Sequence, residues 1–147
     1  MSSSLRCAAA VCAVFLSQGC GSDAAGDEPP AAPPVFAQEP FQTVVSASGR
    51  LHVEVRWSPP TPARGADAVE LTVMDATGVP VDGVAASVVP WMPAHAHGTS
   101  VKPVATPGGP GVVVATPVYL YMPGEWQLRI TLSGAADDSA IVTAQIH

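Results

Sequence analysis

The sequence is short of charge. Charged residues make up 12% of its 147 positions, about half the share usual in a soluble protein. Basic residues are the scarcer kind: six Lys and Arg stand against twelve Asp and Glu, a net charge of −6. Phosphate binding needs clustered Lys and Arg, so this balance argues against a nucleic-acid partner. It argues equally against a polybasic membrane-surface patch. No apolar run approaches the roughly 20 residues that a bilayer-spanning helix requires. Cysteine is absent after Cys20, the other two being Cys7 and Cys12. Everything downstream must therefore fold without a disulfide and bind any metal without thiolate. Catalytic signatures are lacking too: there is no G-x-S-x-G elbow, no H-E-x-x-H and no glycine-rich phosphate loop. Asp137 and Asp138 are adjacent and diverge on a strand, which fits a solvated turn better than acid–base chemistry. Asp75 and Asp82 sit in turns without the dense oxygen spacing of a calcium loop. The expectation is a protein that is not an enzyme.

What is present begins with a leader. Arg6 precedes an apolar stretch from Cys7 to Leu16, long enough for the core of an export signal and too short to span a membrane. The stretch runs into Ser17-Gln18-Gly19-Cys20, which resembles a bacterial lipoprotein signal. Gly19 fits the position before the lipidated cysteine; Ser17 stands where such sites usually carry Leu, and Leu16 lies one earlier. The alternative is an ordinary cleaved signal with an incidental cysteine. Residues 20–40 hold five prolines and almost no large apolar side chains, the composition of a disordered tether. The expected organisation is a signal at 1–19, a Pro-rich tether at 20–40 anchored through lipid on Cys20, and one domain at 41–147. With Arg6 gone the mature charge is −7. Acyl chains on Cys20 would place the domain in the cell envelope, on the periplasmic or outer-membrane face of a bacterial membrane.

From Phe41 onward the pattern has period two. Leu51, Val53, Val55 and Trp57 alternate with His52, Glu54 and Arg56, as a half-buried strand requires. Val69, Leu71 and Val73 repeat the pattern, as do Trp126, Leu128, Ile130 and Leu132, and then Val142, Ala144 and Ile146. Weaker strands are expected at 41–46, 84–89 and 112–121. Turn signals separate them, among them Pro107-Gly108-Gly109-Pro110-Gly111. About seven short strands over a hundred residues predict an all-β, immunoglobulin-like β-sandwich, with Trp57 and Trp126 in its core.

One segment exceeds what a sandwich needs: Pro90-Trp91-Met92-Pro93-Ala94-His95-Ala96-His97-Gly98. In an extended backbone His95 and His97 point the same way. Two imidazoles beside the Met92 thioether make part of a metal site; imidazole suits copper and zinc, and thioether selects Cu(I). A second piece, Tyr121-Met122-Pro123-Gly124-Glu125-Trp126, follows the 112–121 strand. If strand directions alternate, Met122 reaches the same end as the histidines, giving the candidate site Met92, His95, His97 and Met122, with Trp91 as a rim contact. Against this stands a structural reading. The histidines can shape an exposed loop, and the methionines can fill the core. His52 is expected in solvent, Met74 at a core edge, and His147 in a frayed terminus.

Taken in order, Val79-Pro80-Val81-Asp82-Gly83, Met92-Pro93-Ala94-His95-Ala96-His97-Gly98 and Tyr121-Met122-Pro123-Gly124-Glu125-Trp126-Gln127-Leu128 resemble the YtkA-like domain family, to which FixH-type proteins are related. The resemblance covers residues 69–132. It implies an exported or membrane-anchored Ig-like domain, in a family many of whose members are tied by context to copper handling. Ala96 departs from the family pattern, which often has Gly between the histidines. FixH-type relatives carry a membrane helix that this sequence lacks beyond its leader. Two functions are expected from different classes: a copper-binding or copper-transfer module, with Cu(I) favoured, and a metal-free domain contacting an envelope protein through residues 91–99.

Overall fold

The computed structural model describes Ala32–His147. The expected leader, Cys20 and residues 20–31 of the expected tether lie outside the described residues. The nine strands are β1 (Gln42–Val45), β2 (Leu51–Ser58), β3 (Gly65–Asp75), β4 (Val84–Met92), β5 (His97–Gly98), β6 (Val104–Gly109), β7 (Val112–Leu120), β8 (Gly124–Gly134) and β9 (Asp138–Ile146). They form two antiparallel sheets, ordered β1-β2-β3-β7-β6 and β5-β4-β8-β9. The fold is an all-β, immunoglobulin-like sandwich.

The seven expected strands become nine because β5 and β6 carry no alternation to read. β5 is two residues long, and β6 contains Pro107 and two glycines. Both are edge strands, where missing donors and missing side chains are tolerated. Elsewhere the period-two reading and the burial coincide. Val53, Val55, Trp57, Leu71, Trp126, Leu128 and Ile130 are all at most 1% exposed, and their neighbours on the opposite face meet water. The core lies between the two inner faces, as a sandwich requires.

Strand β4 runs past the expected end at Val89 to Met92. Its inward register, Val84, Val88, Pro90 and Met92, continues unbroken. Register fixes which end of the sandwich each turn occupies. Trp91 faces Gln127 near the start of β8, and Gly65 faces Leu120 at the end of β7. The ends of β2, β4 and β7 and the starts of β3 and β8 therefore share one pole. The last residues of the expected tether also lie there. The Val35 amide donates to Ser58 Oγ at 3.2 Å, and Arg56 Nε donates to the Gln38 carbonyl at 3.1 Å.

The opposite pole is held by Asp138. It accepts from the Ser48 amide at 3.1 Å, from the Ser48 hydroxyl, and from the Ser139 amide at 2.8 Å. This carboxylate ties the β1–β2 hairpin of one sheet to β9 of the other, a role that adjacency to Asp137 does not suggest.

Candidate functional site

The pole at the end of β4 carries the histidines. After Met92 the chain makes one 3₁₀ turn, Pro93–His95, and Ala96 takes the left-handed conformation, φ 52° and ψ 37°. The Ala96 amide donates to the Pro93 carbonyl at 3.2 Å. The fixed φ of Pro93 suits the first position of a helical turn, and the 3₁₀ turn takes over where β4 ends. His97 and Gly98 then return as β5, opposite Met92 and Trp91. Gly98 is needed for that return, since a β-carbon on it would lie 2.7 Å from the Pro90 carbonyl oxygen.

His95 and His97 are therefore joined by a turn and not by extended backbone. The two rings still converge, with centroids 5.7 Å apart and planes tilted by 40°. Both side chains are exposed. Nδ1 of His97 lies 3.0 Å from its neighbour's carbonyl, Gly98 O. A carbonyl only accepts, so Nδ1 is the donor here, and in the neutral ring Nε2 keeps its lone pair. One ion bound to two imidazoles at about 2.0 Å holds the ring centroids roughly 4.5–6.5 Å apart, depending on the angle at the metal. The observed separation fits.

The other candidates are placed differently. Met92 is 2% exposed and packs in the hydrophobic core. Met122 is at the same pole, half-buried against that core. Its carbonyl accepts from Trp126 Nε1 at 2.9 Å, so Trp126 pins the β7–β8 turn as well as filling the core. Trp91 faces outward on β4, with the Arg129 guanidinium 4.3 Å from its ring centroid, a cation–π arrangement. That face of the indole is already covered. His52 is half-buried on the outer face of β2, opposite Met74, which is also half-buried. His147 is exposed and follows Ile146, the register partner of Gly124. No cluster of three His, Cys, Asp or Glu with metal-holding geometry occurs among the described residues.

A depression of about 430 Å³, lined by Arg50, Leu51, Asp75, Ala135, Ala136 and Asp137, opens at the other pole. Asp75 is occupied there by its own turn. Its Oδ1 accepts from the Thr77 hydroxyl at 2.7 Å and from the amides of Thr77 and Val79, and these bonds, the hydroxyl first, lower its pKa.

Residues 46–131 match the profile described as YtkA-like. The chain belongs to the YtkA-like family. The matched stretch runs from the β1–β2 turn into β8 and contains the histidine turn and the Met122–Trp126 turn. No curated protein matches the chain. Among solved structures it is similar to one titled "Crystal structure of the Lin-41 filamin domain", at 18% identity, covering 59% of this chain and 82% of that one, with a TM-score of 0.39.

Proposed function

We propose that this YtkA-like chain is an exported, envelope-side binding domain that carries copper at the His95–His97 turn and hands it on. One observation supports the reading above the others. Two exposed imidazoles converge to 5.7 Å on a turn whose backbone is fixed by Ala96 and Gly98. Copper here is cargo. His95 and His97 would bind it reversibly, and exposure of both rings leaves it open to an acceptor. A melting curve with and without copper tests this, since a ligand that binds the native state alone must raise the melting temperature. The rise should vanish in the His95→Ala, His97→Ala variant. No rise in the unaltered chain would sink the proposal.

A second reading, a metal-free domain that docks on an envelope protein, has its own support. The outer face of the β5-β4-β8-β9 sheet presents Val89 at 44% exposure and Ile141 at 53%. Trp91 and Arg129 lie on the same face. Under that reading copper leaves the melting temperature unchanged, while charge reversal at Arg129 weakens partner binding.

A further inference from the structure

We infer that the rim is an imidazole-only site for a divalent ion, Cu(II) foremost, and that the neighbouring methionines are packing and not ligands. This rests on the copper reading above and specifies the ion.

The decisive feature is where the thioethers are. Met92 is among the largest fully buried side chains. Its place follows from the inward register of β4, which runs Val84, Val88, Pro90, Met92. Its terminal methyl fills the space beside Gly124, where a β-carbon would stand 2.6 Å away. For its sulfur to meet an ion held by His95 and His97, the side chain would have to leave the core and open a cavity behind it. Met122 is half-buried against the same core, and its backbone is held by the Trp126 indole. The exposed donors at this turn are therefore the two imidazoles.

Ligand chemistry then selects the ion. Thioether favours Cu(I), and removing it removes that preference. Imidazole suits divalent copper, nickel and zinc, and among these Cu(II) binds most tightly at a given nitrogen site. Two imidazoles leave the remaining positions of the ion free, which suits exchange with an acceptor of higher ligand count.

The test uses the full chain carrying Cys7→Ser, Cys12→Ser and Cys20→Ser, so that no thiol competes for metal. Affinities for Cu(II) and Cu(I) are measured separately against chelators of known strength, and the Cu(II) form is examined by electron paramagnetic resonance. The expected result is Cu(II) bound with hyperfine structure from imidazole nitrogen. Its affinity should fall at least about tenfold in His95→Ala and in His97→Ala, a loss typical of metal-site substitutions. Met92→Leu and Met122→Leu conserve volume and should leave it within about twofold. Tighter binding of Cu(I) than of Cu(II), or loss of binding in either methionine variant, overturns the inference and leaves the copper reading standing. Failure to retain either ion overturns the copper reading itself. Should Met92→Leu fold poorly, Met122→Leu and the Cu(I)/Cu(II) comparison still decide.

Discussion

The terminal methyl of Met92 occupies the place beside Gly124 that a side chain would need. A β-carbon on Gly124 would come within 2.6 Å of it, and Gly124 has φ +128°, a region that L side chains rarely adopt. The β4 end and the β7–β8 turn are thus fitted to each other at the pole that bears the histidines.

Gly124→Ala should therefore destabilise the protein by about 1–3 kcal/mol, from overpacking and backbone strain together. Shortening the neighbour separates the two. In a double-mutant cycle with Met92→Val, the combined loss should be smaller than the sum of the single losses. Strict additivity in denaturant titrations would show that the methyl contact contributes nothing.

Ala96 is the one described non-glycine residue with positive φ. A left-handed conformation costs an L residue roughly 1–2 kcal/mol, partly offset by the lower unfolded-state entropy of alanine relative to glycine. Ala96→Gly should stabilise the chain by about 0.5–1 kcal/mol, seen as a higher denaturation midpoint with an unchanged slope. Ala96→Val should shift it the other way. Glycine, with no β-carbon, suits the turn better.

The two core tryptophans differ in their indole N–H. Trp126 Nε1 donates to the Met122 carbonyl at 2.9 Å. Trp57 Nε1 is buried with no partner among the described residues. Replacement by Phe should cost more at Trp126 than at Trp57 by about 1 kcal/mol, the worth of a buried hydrogen bond. Equal losses in paired unfolding curves would contradict the geometry.

Acid should act on two carboxylates in opposite senses. Hydrogen bonds from the hydroxyls of Ser46 and Ser48, and then from backbone amides, hold Asp138 far below its ordinary 3.8. Its folded pKa lies under its unfolded one, so it adds stability above about pH 4 that is lost as pH falls. Burial raises the Asp67 pKa, against a weaker opposing bond from the Ala63 amide. Its penalty is absent well below pH 3.8 and grows as pH rises. Asp138→Asn should flatten the loss of stability between pH 5 and pH 3 (round values bracketing the unfolded carboxylate range). Asp67→Asn should be more stable than the unaltered chain near pH 7 and equal to it near pH 3. Melting temperatures across that range check both signs.

Much of the fold was legible because the side chains report it directly. Leu51 to Trp57 and Trp126 to Leu132 alternate and are buried on one face without exception. β6 was not legible, since after Val104 and Ala105 it runs through Thr106, Pro107, Gly108 and Gly109 and buries no apolar face. At the histidine turn the convergence of His95 and His97 was readable, but its cause was not. It comes from a 3₁₀ turn and a left-handed Ala96, which period-two reasoning cannot anticipate. The burial of Met92 did have a signal. Counting inward by twos from Val84 and Val88 through Pro90 arrives at Met92, and the proline obscured a strand that continues through it. Asp138 had none, because its partners Ser46 and Ser48 lie about 90 residues away in sequence.

The bond between the Val35 amide and Ser58 Oγ has a bearing on what the histidines can meet. It fastens the chain at Val35 to the domain at their own pole. The fifteen or so residues from Cys20 to Pro34 reach about 50 Å when fully stretched. Were acyl chains to hold Cys20 in a bilayer, the pole carrying His95 and His97 could stray no farther than that from the lipid surface. The acceptors within range of the rim would then be those seated in the same membrane.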